Sequence, residues 1–167
     1  MRRIVVDGAR WGLAVAAALS MFAAAGSAVE GQADARGFLR VAPEQVKWTT
    51  NPKELGVQRA VVYGDQTKPG IYVARIKFPP GVMSRPHFHK EDRHALVIQG
   101  TWYTGTGNAW TPDKTVGLKP GSYMLHPGGE SHFDGAKDQE VILQLVGYGP
   151  SATTYLKPEE GEFGRIK

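Results

Sequence analysis

The feature that most constrains the fold is a series of short β-type runs, each ended by glycine, proline, asparagine or aspartate. The runs read VQRAVVYG, IYVARIKF, HALVIQG, TWYTGTG, TVGL, SYMLH and EVILQLVG, and no long helical pattern separates them. In IYVARIKF every second residue from Tyr72 to Phe78 is apolar, which is the period of two expected of a strand buried on one face. Many short strands without helices predict an antiparallel sandwich or small barrel.

Composition divides the chain into four segments. Residues 1–28 are typical of a cleaved export signal, because basic residues precede an apolar run that ends in small residues at Ala28. A membrane anchor is the alternative, but the run is about sixteen residues, fewer than the roughly 20 needed to span a bilayer. We therefore expect a periplasmic or secreted protein with no membrane anchor after cleavage. We also expect a flexible segment over 29–44, a β-domain over 45–150 and a charged tail over 151–167 on the outside.

Charge and cysteine content exclude several classes of function. Removal of residues 1–28 leaves 17 Lys plus Arg against 15 Asp plus Glu, with no basic block, so we expect no nucleic-acid partner. The chain has no cysteine, which excludes disulfides, a thiolate nucleophile and a sulfur-ligated zinc site. Chemistry must depend on histidine, carboxylate, arginine, tyrosine or a bound ion.

All five histidines lie within 46 residues of each other. His87 and His89 are two apart, so on a strand both imidazoles point to the same side and can converge on one ion. The other three are His94, His126 and His132. Isolated histidines are more often surface or hydrogen-bonded core residues. Agreement of ligand type, alternation and spacing nevertheless predicts a metal site on His87, His89 and His132.

Two sequence motifs resemble those of single-domain cupins. The first motif of that family has Gly, five residues, His-x-His, three or four residues, Glu, six residues and Gly; Gly81, His87, His89 and Gly100 match it. The second motif is matched by Gly121, Pro127, Gly129 and His132, whereas its final Asn is replaced by Ala136. The resemblance implies an all-β fold, an antiparallel double-sheet β-barrel of the cupin or jelly-roll type. It also implies pairing of such barrels into a homodimer.

The motif glutamate is the part that fails to match, because Arg93 stands in its place. A guanidinium has no lone pair to donate, so this side chain cannot be a metal ligand. His94, shifted by one residue, could replace it, although strand alternation places it on the opposite face. His126 could act as a fourth ligand or as an acid/base. Otherwise the centre has three histidines with open positions.

Arg93 itself has two interpretations. If it points inward, it anchors an anionic substrate beside the ion; if it points outward, it pairs with Glu91 or Asp92 at the rim. Glu130 and Asp134 flank His132 and are interpreted as solvated loop charges rather than groups that orient it.

Aromatic residues near the loop TGTGN give a weaker signal. Trp102, Tyr103 and Trp110 could cover a barrel mouth, but aromatic residues on strands more often pack in a core or an interface. We therefore expect packing.

Two functional hypotheses follow. The first is a small metal-dependent enzyme, dioxygenase-like or a lyase or isomerase, acting on a small anionic or enolisable substrate. Its metal ligands are His87, His89 and His132, and its catalytic residues are His126 and Arg93. Fe²⁺ or Zn²⁺ is favoured, while Mn²⁺, Ni²⁺ and Cu²⁺ also suit imidazole ligands. The second hypothesis is a non-catalytic periplasmic module that binds a small ligand or metal in the same barrel.

Overall fold

The structure of the protein is a computed structural model that describes residues 33–166. The predicted export signal over 1–28 lies outside these residues. The strands in chain order are β1 (Thr49–Thr50), β2 (Gln58–Tyr63), β3 (Gly70–Phe78), β4 (Val82–Ser84), β5 (His87–His89), β6 (Arg93–Gln99), β7 (Trp102–Thr106), β8 (Val116–Leu118), β9 (Tyr123–His126), β10 (His132–Ala136), β11 (Val141–Gly149), β12 (Thr153–Tyr155) and β13 (Phe163–Arg165). Short 3₁₀ helices cover Pro43–Gln45, Pro52–Glu54, Pro112–Lys114 and Pro158–Glu160.

The strands form two antiparallel sheets. The first has the order β1-β2-β3-β11-β6-β9. In the second, β10 lies between β7 on one side and β4 and β5, end to end, on the other, and β8 extends the sheet beyond β7. Partners such as β3 and β11 are far apart in sequence, so the sheets are assembled by long-range pairing.

Apolar side chains from the inner faces of both sheets form one core. Phe78, Val97 and Leu143 from the first sheet contact the same cluster as Val82 and Trp102 from the second. The predicted alternation in β3 is confirmed, because Tyr72, Ala74 and Phe78 are buried while Ile71 is exposed. Trp102 is fully buried, as expected of a packing residue rather than a cover over a cavity.

Close packing of β7 on β10 depends on a glycine. Gly105 pairs across the strands with Phe133, and a Cβ atom at this position would lie 2.2 Å from the nearest atom of the Phe133 ring. The aromatic ring therefore covers the backbone of β7 where a larger residue would displace it. This contact fixes β10 against β7 one residue after His132, the first residue of β10.

The segment 151–167 is not the outer tail that the sequence predicted. Its strand β12 pairs with β5, and β13 pairs with β4, so both extend the second sheet. Phe163 is buried in the core cluster. The charged composition of the segment hid these strands because each has only three residues and turn residues separate them.

Helices play little part in this architecture. Within residues 33–166, no helix has the length and apolar character needed to cross a membrane.

Candidate metal centre

Three histidines from two neighbouring strands meet inside the barrel. His87 and His89 alternate with the half-buried Phe88 on β5, and β10 places His132 directly opposite His87 in the register. All three side chains are buried. Their ring centroids are 4.9 Å apart for His87 and His89, 4.4 Å for His87 and His132, and 5.1 Å for His89 and His132. The convergence expected from the sequence is therefore present.

Backbone carbonyls set the orientation of these rings. Nδ1 of His87 lies 2.8 Å from the carbonyl oxygen of Arg85, and Nδ1 of His132 lies 3.2 Å from that of Glu130. Nδ1 of His89 lies 3.2 Å from the carbonyl oxygen of Ala152. A carbonyl can only accept, so each Nδ1 carries the proton and donates. Each Nε2 then keeps a lone pair, as metal-ligating histidines require.

The triad fits a transition-metal ion. One ligand nitrogen from each histidine lies within 4.8 Å of the others. Burial lowers the pKa of His87 to about 3, that of His89 to about 2 and that of His132 to about 4. All three imidazoles are therefore uncharged at neutral pH and can offer a lone pair to a metal ion. Nε2 of His132 is buried without a hydrogen-bond partner among residues 33–166. Such a nitrogen is explained by a ligand that completes the site.

Arg93 points inward, which decides between its two predicted arrangements. It is the first residue of β6, is 8% exposed, and lies opposite His126 of β9. Its Nη1 lies 3.2 Å from Nε2 of His89, and its Nη2 donates to Oγ of Ser151 at 2.9 Å. The alternative pairing with Glu91 or Asp92 is wrong, since the Asp92 carboxylate instead accepts from the Gly128 amide.

His94 is not part of the site. Strand alternation places it on the exposed face of β6, where its Nδ1 lies 2.8 Å from the hydroxyl oxygen of Tyr123. The alternative that a bulge brings it to the ion is therefore wrong.

His126 lies beside His132 but farther from His89. Its ring stacks on His132 with centroids 3.8 Å apart, whereas its centroid is 6.3 Å from that of His89. In the part of the chain that the structure describes, neither ring nitrogen of His126 has a hydrogen-bond partner, and burial lowers the pKa of His126 to about 2. Its potential ligand atom lies within 4.8 Å of those of His132 and Asp134.

Asp134 is the site residue that the sequence interpretation missed. It was expected to be a solvated loop charge, but it lies on β10 two residues after His132 and is 5% exposed. Its Oδ2 is 3.9 Å from Nε2 of His132, and burial raises its pKa to about 7. The period of two in HFDGA was the available signal, since it puts both side chains on one face. Glu130 is exposed, as expected.

Two adjacent cavities lead to the histidines. The inner one, of ≈ 50 Å³, is lined by His87, His89, His126 and Asp134. The outer one, of ≈ 300 Å³, is lined by Lys47, Arg59, Arg75 and Arg93, and its lining among residues 33–166 includes no carboxylate. Both cavities share Arg59 and Arg93, so the cationic cavity adjoins the metal centre.

Two further residues could not be assigned to the site from sequence alone. Arg59 reaches the cavity from β2 and pairs with Glu54, while the Tyr155 ring lies 5.1 Å from His87. Burial raises the pKa of Tyr155 above its ordinary value, so it remains a hydrogen-bond donor. Both come from segments outside the two motifs.

Comparison with known proteins supports the fold directly. A sequence model of the family described as the ChrR cupin-like domain matches residues 37–152. No curated protein matches. The predicted single-domain cupin fold is confirmed by this match and by solved structures of cupin domains.

Three solved structures illustrate the similarity. KdgF from Halomonas sp. is 21% identical with a TM-score of 0.51, over 65% of this chain and 91% of that one. The DMSP lyase DddQ from Ruegeria pomeroyi DSS-3 is 16% identical with a TM-score of 0.55, over 68% and 62%. The polyketide cyclase RemF from Streptomyces resistomycificus is 20% identical with a TM-score of 0.55, over 70% and 85%. At these identities the likeness concerns the fold alone.

Proposed function

We propose that this chain, which belongs to the ChrR cupin-like domain family, is a metal-dependent enzyme acting on a small anionic or enolisable substrate. A divalent transition-metal ion would be held by His87, His89 and His132. The observation that carries the proposal is the meeting of three Nε2 lone pairs with a buried guanidinium at the end of a cationic cavity. The fold is shared with structural neighbours named as a DMSP lyase and a polyketide cyclase, which supports an enzymatic function.

The donor set limits the choice of ion. Three imidazoles without sulfur suit Fe²⁺ or Zn²⁺, and also accept Mn²⁺, Ni²⁺ or Cu²⁺. When bound, the ion supplies a Lewis acid that polarises a substrate oxygen, and iron additionally supports dioxygen chemistry.

Arg93 favours an anionic substrate. Among residues 33–166 it forms no ion pair with a carboxylate, and its hydrogen bonds go to the neutral partners His89 and Ser151. A buried cation without an opposite charge is unfavourable by several kcal/mol. A carboxylate or enolate that enters the cavity relieves this cost and is oriented by the forked donors of the guanidinium.

His126 is assigned the role of proton carrier. Its side chain lines the inner cavity, and its ring nitrogens have no hydrogen-bond partner within residues 33–166, so a lone pair is available to exchange a proton with a bound substrate. Its ring lies against His132, which places it beside the ion rather than within the triad.

A second candidate function is favoured by one contact. The hydrogen bond from Arg93 to His89 satisfies a lone pair without any ion. This arrangement suits a module that binds a small anion and performs no turnover.

We infer export for either function, and N-terminal sequencing of the mature protein would test cleavage near Ala28.

Metal analysis of anaerobically purified protein, followed by oxygen uptake and product analysis with enolisable ketones, phenols and 2-oxo acids, tests the proposal. We expect stoichiometric metal and turnover that is lost in His132→Ala but kept in the matched control His94→Ala. Saturable anion binding without turnover across the panel would favour the binding module.

A further inference from the structure

We infer that Asp134 supplies the carboxylate of the metal centre, in place of the motif glutamate that Arg93 has replaced. The inference rests on the proposed metal site. It assigns a ligand from β10, on the same strand as His132, rather than from β6.

The first step is geometric. His132 and Asp134 lie two residues apart on β10, so both side chains face the interior. Nε2 of His132 and Oδ2 of Asp134 are 3.9 Å apart. Zinc binds nitrogen and carboxylate oxygen at about 2.0 to 2.2 Å, so two ligands of one ion can be separated by up to roughly 4 Å. Both side chains can therefore bind the same ion, and the ligand atom of His126 also lies within 4.8 Å of theirs.

The second step is charge. Three neutral imidazoles leave the charge of the ion uncompensated, and Arg93 adds a further positive charge 3.2 Å from His89. A carboxylate as deeply buried as that of Asp134 is unfavourable unless it meets a cation. Among the described residues it forms no ion pair with a lysine or arginine, and Nε2 of His132 lies 3.9 Å from its Oδ2. An ion on His132 would give it a cation.

The third step is elimination among carboxylates. Asp134 is the one carboxylate that lines the inner cavity within residues 33–166. Glu91 and Glu130 are exposed, and Glu54 is engaged by Arg59. With Asp134 neutralising part of the charge of the ion, the guanidinium of Arg93 is left for the substrate.

Competition titration with a chromophoric chelator measures the zinc affinity of four proteins: wild type, Asp134→Asn, Glu130→Gln and the double variant Arg93→Glu/Asp134→Asn. Glu130→Gln is the matched control, since it removes a carboxylate equally distant in sequence from His132. We expect Asp134→Asn to weaken zinc binding by tenfold to 100-fold or more, in the range seen when groups supporting a metal are lost. We expect the control to stay within about twofold of wild type, well below that range. The double variant, which restores the motif glutamate, should recover most of the loss.

Equal zinc affinity of wild type and Asp134→Asn would overturn the inference. Circular dichroism and thermal melting of the metal-free proteins check folding, and Asp134→Asn should melt no lower than wild type because it removes a buried carboxylate. If the variant does not fold, a crystal structure of zinc-loaded wild type decides. A carboxylate oxygen of Asp134 bonded to the ion supports the inference, and an ion with histidine ligands alone refutes it.

The same titration separates this inference from the proposed function. Wild type that binds no metal would refute the metal-dependent function itself. Metal binding that depends on Asp134, without turnover on any substrate, would leave the inference standing and favour the binding module.

Discussion

The Nη1 atom of Arg93 lies 3.2 Å from Nε2 of His89. The charged guanidinium therefore donates a hydrogen bond to the nitrogen lone pair that a metal ion would use. A bound metal ion would compete with the guanidinium for this nitrogen and would be repelled by it at short range. Arg93 should therefore weaken metal binding while it strengthens the binding of an anionic substrate.

Arg93→Met should tighten metal binding and weaken anion binding. Methionine keeps an unbranched apolar stem but removes the charge and the donor to His89. We expect zinc affinity to rise by about tenfold, because the substitution removes one positive charge that repels the ion from a few ångströms away in a partly screened site. Binding of pyruvate to the zinc-loaded protein, measured by calorimetry, should fall by a similar factor. Arg165→Met, on the exposed end of β13, is the control. Zinc affinity that falls in Arg93→Met would contradict competition between the guanidinium and the ion.

His126→Gln should separate catalysis from metal binding. The His126 ring stacks on His132 but stands apart from His89, so we expect metal content to remain near that of wild type. Loss of a proton carrier lowers kcat by about 10²- to 10⁴-fold. The checks are metal analysis and steady-state kinetics on whichever substrate supports turnover. Loss of the metal in this variant would instead identify His126 as a ligand.

Acid should destabilise the metal-free protein steeply. Burial lowers the pKa values of His87, His89, His126 and His132 to between about 2 and about 4, against an unfolded value near 6.5. As the pH falls below 6.5, the unfolded chain binds protons that the folded chain does not. The stability present above pH 6.5 is therefore lost progressively toward pH 4.

Asp134 acts with the opposite sign in the same range. The pKa of Asp134 is raised from 3.8 to about 7. Its contribution to the stability of the folded state is therefore present at low pH and is lost as the pH rises through 7. One carboxylate opposes four imidazoles, so the net slope below pH 6.5 follows the histidines. Urea denaturation with a chelator present, at pH 5 and pH 7.5, measures this slope. The free energy of unfolding should be higher at pH 7.5, by more than about 1.4 kcal/mol per pH unit. His126→Leu should flatten the slope, and an unchanged slope would show that this imidazole is not kept neutral by burial.

Gly105→Ala should lower stability and disturb the site. The new Cβ would meet the Phe133 ring at 2.2 Å, and the ring is itself buried, so β7 and β10 must move apart. We expect a loss of about 1 to 3 kcal/mol, as for other overpacked cores. Thermal melting measures it, and Gly105→Ala/Phe133→Leu should recover part of the loss. A melting temperature equal to that of wild type would show that the strands tolerate the extra volume.

Local sequence patterns predicted the elements that carry a clear period of two. The alternation in β3 and the pair His87 and His89 needed only strand geometry, and the motif spacing brought His132 to the same place. Asp134 was misjudged because β10 is buried along its whole length, so a polar residue there does not mark a loop. Strands β12 and β13 were missed because pairing with β5 and β4 specifies them, and no residue within either short strand does.

The carbonyl of Ala152 that orients His89 belongs to the same short stretch as Ser151, which contacts Arg93. The cupin motifs end well before this stretch, and the family match stops at residue 152. A gene trimmed to the matched region would keep Ser151 and Ala152 but would lose β12, whose Thr153 pairs with His89 in the register. Recombinant work on this protein should therefore retain β12 and β13, which pair with β5 and β4.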